Sequence, residues 1–221
     1  MAELFKKCVL FDLDGTLLKS MDVWAEIDKK FFDKRNLPLP NDYMDITAVL
    51  DIYRAADYTI QRFGLNEHAE DIINEWKDEA IYQYTHNVKL FDYALEYLQT
   101  LKAKGLRLAI VTSGDRSIFE WALKSNNIEG LFDLIVSASG LPYHKGDGSL
   151  YKYTLGLLNV AVEDCVLFED AFPAIQSGKK LGFDVVAVKS PHSSVDEDTL
   201  KEYADFIIDD YSQAPTINLK K

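Results

Sequence analysis

The chain has 221 residues, 48% of them hydrophobic, which is enough for one large domain or for a core domain carrying a modest second one, and too apolar for a disordered acidic protein. Its net charge of -12 therefore belongs to a folded surface, and it argues against nucleic acid or an anionic membrane as a general partner, because polyanions are repelled over most of that surface. No apolar run reaches the roughly 18 residues of a membrane span, no cleavage-like site follows the basic pair Lys6-Lys7, and the two cysteines, Cys8 and Cys165, fall in strand-like runs, so a reduced, cytoplasmic protein is expected.

The first element is "KCVLFD", residues 7 to 12, whose apolar core lacks polar alternation and suits a strand buried on both faces. It ends in Asp12-Leu13-Asp14-Gly15. In an extended backbone the two carboxylates point to one side while Leu13 points away, and Gly15 then permits a sharp turn. From about residue 20 to 88 there is no convincing strand, only helical patterns over 21 to 35, 44 to 64 and 68 to 86. Pro38 and Pro40 separate the first two and Gly64 ends the second. This stretch reads as a small helical domain inserted after the first strand, with the stripe Trp24, Ile27, Phe31 and Phe32 mostly in its core. Strand-like runs resume at 106 to 112, 132 to 138, 164 to 170, 183 to 188 and 205 to 209. Helical stretches lie at 91 to 104, 116 to 126, 149 to 159, 171 to 181 and 197 to 203, with Gly105, Gly130 and Gly182 where helices or connections should stop. Such alternation predicts βαβ units and a parallel sheet covered by helices.

Two carboxylates held on one side repel each other unless a cation intervenes or one of them keeps a proton. By itself, Asp12-Leu13-Asp14-Gly15 reads equally well as an acidic turn, since Asp-Gly is a common turn dipeptide. Thr112 and Ser113 end the next long strand just before a helix, where a hydroxyl, free N–H groups and a helix N-terminus make an anion site. In isolation, N-capping by Ser113, Asp115 or Ser117 accounts for them as well. Glu169 and Asp170 end the strand "CVLFED", where Asp170 also reads as a capping acid. Lys145 alone reads as a solvated loop lysine. Yet every one of these residues falls at the carboxyl end of a predicted parallel strand or just beyond it, the edge where open α/β sheets bind ligands. Two acid clusters, a hydroxyl beside a helix N-terminus and a lysine together specify a hard cation plus a phosphate.

With "FDLDGTLL" (11 to 18), "IVTSG" (110 to 114), Lys145 and "VLFEDAFPAIQSGKKLG" (166 to 182) in this order and spacing, the chain resembles the haloacid dehalogenase superfamily. The likeness covers nearly the whole chain and lies nearest the phosphatase and β-phosphoglucomutase-like branch. It implies a Rossmann-like, doubly wound parallel α/β core built from residues 1–19 and 89–221, with the first strand central, and an all-helical cap over 20–88. It implies that Asp12 is the nucleophile that forms an aspartyl-phosphate and that Asp14 is the acid that protonates the leaving alkoxide and then activates water. It implies that the Thr112 hydroxyl, the Ser113 backbone N–H and Lys145 hold the phosphoryl oxygens. Asp170, the Asp12 carboxylate and the Asp14 carbonyl would bind Mg²⁺, with Glu169 acting through a water. Mg²⁺ fits better than Zn²⁺ because every ligand in this set is oxygen. The implied substrate is a small phosphorylated metabolite and the implied state a monomer. Two departures stand out: relatives often read Lys-Pro-x-Pro where this chain has "KGDG", which predicts a looser loop around Lys145, and Pro173 replaces a glycine common in relatives.

A phosphatase gives the phosphoryl group to water, whereas a sugar phosphomutase returns it to a bound sugar phosphate and so needs cations in the cap for a second phosphate. The mutase branch carries a histidine shortly after its second aspartate. Here "SMDVW" (20 to 24) puts Trp24 near that place, and no histidine precedes His68. Arg54 and Lys29 are the candidate cations. Dehalogenase relatives lack the second acid that Asp14 provides, a non-catalytic sensor would not need every catalytic group, and a receiver domain would not carry its nucleophile on the first strand. The expected activity is therefore a Mg²⁺-dependent phosphatase, with Trp24, Asp28, Phe31, Tyr53 and Asp57 as candidate selectors of substrate.

Overall fold

The computed structural model describes residues 3–47, 50, 52–189 and 195–220. The chain divides into two compact units, an α/β unit of Met1–Met21 with Val88–Lys221 and a helical unit of Asp22–Asn87.

The α/β unit begins with β1 (Glu3–Lys6) and β2 (Cys8–Phe11), two short strands separated by Lys7. All four residues of β2 are buried, as its unbroken apolar run demands. After the helical unit come α5 (Ala94–Ala103), β3 (Arg107–Thr112), α6 (Arg116–Ser125), β4 (Leu134–Ser137), α7 (Ser149–Leu158), β5 (Cys165–Glu169), α8 (Phe172–Leu181), β6 (Asp184–Val188), α9 (Glu197–Tyr203), β7 (Phe206–Ile208) and β8 (Thr216–Leu219). Six strands form one sheet in the order β4-β3-β2-β5-β6-β7, and every pairing is parallel. The chain builds outward from β2 through β3 to β4, then returns to the other side of β2 for β5, β6 and β7. The sheet is thus doubly wound, with its switch point at β2, where a crevice opens beyond the carboxyl ends of β2, β3 and β5. Its core includes Leu10, Val111, Leu167, Ile175 and Val185. Cys8 and Cys165 are register neighbours on β2 and β5, both buried and both free.

One pairing is absent from the sequence reading. β1 and β8 form a separate two-stranded parallel sheet, and four-residue strands with mixed burial leave too little periodicity to detect.

The helical unit contains α1 (Val23–Lys34), α2 (Tyr43–Thr47), α3 (Ile52–Phe63) and α4 (Ala69–His86). Phe32 meets Tyr43 and Phe63 edge-on, with ring centroids 4.8 and 4.9 Å away, and Phe31 packs on Trp76 at 5.4 Å. Arg35 lies over the Phe31 ring and donates to Glu67 and Glu75, joining α1 to α4 and to the segment before it. Within the expected core stripe Ile27, Phe31 and Phe32 are buried, but Trp24 is 42% exposed. The single helical pattern over 44 to 64 is corrected to two helices, α2 and α3; residues 48, 49 and 51 of that pattern lie outside the described residues. At the end of α2, Thr47 donates its hydroxyl to the Tyr43 carbonyl, a local bond that competes with helix propagation. Among the described residues, no helix is long and apolar enough to cross a membrane.

Candidate active site

The β2 ladder continues one residue past its last strand position, since Asp12 N–H donates to the Phe168 carbonyl at 2.9 Å. The chain then turns tightly, with the Leu17 and Leu18 amides returning to the Leu13 carbonyl. Gly15 sits at φ +82°, and a Cβ there would collide with the Asp170 carboxylate, so only glycine lets the acids after β2 approach the acids after β5. Thr16 Oγ1 lies 3.4 Å from Asp170 Oδ1 across this contact. Asp14 is half-buried, and Ser20 donates its hydroxyl to Asp14 Oδ1 at 2.6 Å.

At the end of β3, Thr112 is buried and Ser113 exposed. Capping of α6 falls to Asp115, whose carboxylate accepts from the Ser117 amide at 2.9 Å. Thr112 Oγ1 accepts the Gly114 amide at 3.0 Å, and a Cβ built on Gly114 would stand 3.2 Å from Asp14 Oδ2, so the bare turn lies directly against that acid.

Lys145 is only 8% exposed, not a solvated loop lysine. Its ammonium bonds to Asp12 Oδ1 and, at 2.9 Å, to Glu169 Oε2. Glu169 is fully buried, and it also accepts from the Tyr151 hydroxyl on Oε2 at 2.8 Å and from the Ala171 amide on Oε1 at 3.2 Å. The "KGDG" loop lacks prolines but is tied by hydroxyls. Ser177 on α8 donates to the Lys145 carbonyl at 2.5 Å, while Asp147 Oδ1 accepts the Ser149 amide and hydroxyl at 2.8 and 2.6 Å. Pro173 falls in the first turn of α8, where its missing N–H is no loss.

Asp12, Asp14, Thr112, Ser113, Lys145, Glu169 and Asp170 all line one pocket of about 350 Å³ within the α/β unit. Carboxylate oxygens of Asp12, Glu169 and Asp170 lie within 4.8 Å of one another, the one such group among the described residues. Burial, with the repulsion of Asp12 and Glu169 added, pushes the Asp170 pKa up to about 8, and burial raises that of Glu169 too. Burial works against the Lys145 charge, but the Asp12 and Glu169 carboxylates outweigh it and hold the ammonium above the ordinary lysine range. One buried cation among this many acids leaves excess negative charge, and an all-oxygen donor set of this kind fits a hard divalent cation.

The structure brings together every residue that the motifs single out, and it adds Ser20, whose partner is the nearby Asp14 carboxylate, together with Tyr151 and Ser177, whose partners Glu169 and the Lys145 carbonyl lie 18 and 32 positions away. The candidate substrate selectors lie in the helical unit: Trp24, Tyr53 and Asp57 are exposed, Asp28 half-buried and Phe31 buried, while Lys29 and Arg54 are exposed. Burial pushes the Asp28 carboxyl up to about 6. A groove of about 600 Å³ in that unit contains Phe31 and Trp76 but none of the seven motif residues.

The sequence pattern of the haloacid dehalogenase-like hydrolases matches residues 9–188. The chain is 27% identical over 208 residues to the validoxylamine A 7'-phosphate phosphatase of Streptomyces hygroscopicus subsp. limoneus, covering 94% of this chain and 95% of that protein. It is 25% identical over 180 residues to the pyrophosphatase PpaX of Bacillus thuringiensis (strain Al Hakam), covering 81% and 82%. In fold it is similar to CbbY from Rhodobacter sphaeroides in complex with phosphate, with a TM-score of 0.73, 18% identity and coverage of 95% and 96%. It is also similar in fold to a family IA, variant 3 hydrolase from Entamoeba histolytica HM-1:IMSS, with a TM-score of 0.75, 20% identity and coverage of 94% and 95%.

Proposed function

The chain belongs to the haloacid dehalogenase-like hydrolases, and from that membership we propose that it is a Mg²⁺-dependent phosphatase acting on a small phosphorylated metabolite in the cytoplasm. The observation that carries this reading is the convergence of all seven motif residues on one pocket at the switch point of the sheet. Its relatives named as phosphatases support the same class.

In this reading Asp12 Oδ bonds to phosphorus as the ester P–O bond breaks, and Asp14 gives its proton to the departing alkoxide. Water then attacks the aspartyl-phosphate, Asp14 takes the water's proton, and inorganic phosphate leaves with Asp12 restored. A carboxylate attacking a phosphate dianion meets like charge, so the Lys145 ammonium beside Asp12 is required for approach. Thr112 and the Ser113 amide, at the end of β3, fix the phosphoryl oxygens with Lys145. Asp14, half-buried and held by Ser20, sits where a proton can be passed to a group entering from solvent. Mg²⁺ held by the Asp12 and Asp170 carboxylates and the Asp14 carbonyl, with Glu169 one water further out, would offset the charge that Lys145 leaves uncompensated.

We assign the helical unit the role of cap. Its composition favours a phosphatase over a mutase, because it holds seven Lys and Arg against fourteen Asp and Glu. Lys30, Lys34, Arg35 and Arg62 are already paired with acids. A second phosphate finds little positive charge there. The test is hydrolysis of a generic aryl phosphate by purified protein, which should require Mg²⁺, stop on chelation and fall to background in Asp12→Asn. Activity that survives Asp12→Asn would sink the assignment, and interconversion of β-glucose 1-phosphate and glucose 6-phosphate faster than phosphate release would replace it with the mutase.

A further inference from the structure

Tyr151 has no part in the chemistry outlined above, yet its hydroxyl ends on Glu169, a carboxylate that lines the site. The residue lies in the first turn of α7, six positions after Lys145, and its side chain is fully buried. Its ring belongs to the apolar core and packs edge-on to Phe183 at 5.7 Å, a role that phenylalanine would fill equally well. A hydroxyl taken out of water without a partner is destabilising, and here the partner is Glu169 Oε2 at 2.8 Å. That same oxygen accepts the Lys145 ammonium at 2.9 Å.

We infer that Tyr151 is a positioning residue: acting through Glu169, its hydroxyl fixes where the Lys145 ammonium stands relative to Asp12. Glu169 Oε1 is anchored by the Ala171 amide, but one backbone bond leaves the carboxylate free to turn about its last C–C bond. A flexible lysine stem cannot prevent that turn, because the ammonium follows its acceptor. The Tyr151 hydroxyl, carried on a rigid ring in a helix, supplies the second fixed point. With both oxygens pinned, Lys145 is shared between Glu169 and Asp12; with Oε2 released, the ammonium is drawn after Glu169 and Asp12 loses its neighbouring cation. This inference rests on the phosphatase reading for its consequence, since Asp12 needs that cation only if it attacks a phosphate.

Tyr151→Phe removes the hydroxyl alone. A crystal structure of this variant should show Glu169 turned and the Lys145 ammonium beyond about 3.5 Å from Asp12, outside hydrogen-bond reach. An unchanged Lys145–Asp12 contact overturns the inference, whatever the reaction proves to be. In kinetics with an aryl phosphate, kcat should fall roughly 10- to 100-fold, the usual cost of losing a partner that orients a site residue, with little change in KM. Tyr153→Phe, on the same helix but stacked on Tyr143, should leave kcat alone. In a Glu169→Ala background the Tyr151 substitution should cost nothing further, because no carboxylate is left for its hydroxyl to act through. An equal loss in both backgrounds marks Tyr151 as merely structural and overturns the inference. If the wild-type protein hydrolyses no phosphate ester, the phosphatase reading fails, while the crystal structure still decides the role of Tyr151.

Discussion

Asp170 keeps its proton up to about pH 8 because it is buried beside Asp12 and Glu169. A metal ion must displace that proton before it can use the carboxylate. Mg²⁺ affinity should therefore rise as pH goes from about 6 to 8, by at most tenfold per unit, and then level off; calorimetric titration that finds a flat affinity over this range contradicts the assignment of Asp170 as a ligand. The sign for stability is the opposite. A folded-state pKa above the unfolded value means that the metal-free protein loses stability as pH rises through about 8, and bound Mg²⁺ should remove that loss. Ser20 gives a second test, because it donates to Asp14 and touches no other motif acid. Ser20→Ala should lower kcat by about tenfold, the scale of one hydrogen bond to a charged group, with Mg²⁺ affinity unchanged; a parallel fall in Mg²⁺ affinity would place Ser20 in the metal's support instead. At this scale the motif acids are legible in the sequence because each lies at or just past a predicted strand end, and Lys145 because it falls in the loop beyond one, in order with them. Ser20 and Tyr151 are not, since a serine in a connection and a tyrosine in an apolar helix stripe look the same with or without a carboxylate partner.

Elements show the same division between pattern and partner. β2, β3 and β5 are readable as unbroken apolar runs, and their parallel pairing follows from the helices between them. β1 and β8 are not readable, because their pairing depends on two four-residue segments from opposite ends of the chain. The loop bearing Lys145 looks slack by composition, yet Ser177 on α8 holds its carbonyl, a tie between segments that no local pattern encodes. In α1, Asp28 is half-buried, and burial holds its carboxyl near pH 6 instead of the usual 3.8. Its folded-state pKa is the higher one, so the native state prefers the protonated acid, and that contribution to stability is lost as pH rises through about 6. Asp28→Asn should therefore stabilise the protein by about 1–2 kcal/mol at pH 7.5, an order-of-magnitude figure reduced for the partial exposure of the group. Below about pH 4 it should change nothing. Urea unfolding at both pH values measures this, and a destabilised variant at pH 7.5 would mean that Asp28 has a native partner worth more than its burial costs.

For the molecule as a whole, the two units join through two crossings of the chain, Met21 to Asp22 and Asn87 to Val88. On the α/β side these crossings run side by side. Leu18 and Leu90 form an antiparallel bridge, Lys19 N–H donates to the Lys89 carbonyl at 2.8 Å, and Phe91 N–H donates to the Leu17 carbonyl at 2.9 Å. A chain that leaves and re-enters at one point can be closed without pulling on the sheet, so a linker of about four Gly and Ser residues should replace Asp22–Asn87. Both sheets, the helices that connect the strands and all seven motif residues remain in the shortened protein. It should unfold in a single cooperative urea transition, with a slope smaller than that of the full chain in proportion to the surface removed. It should also bind Mg²⁺ with the same pH dependence as the intact protein, because Asp12, Glu169 and Asp170 all stay in place. Discrimination among phosphorylated metabolites should be lost, since the residues assigned to choosing the substrate are gone. A shortened protein that folds and still prefers the same metabolite as the full chain would move substrate selection out of the helical unit and into the 350 Å³ pocket itself.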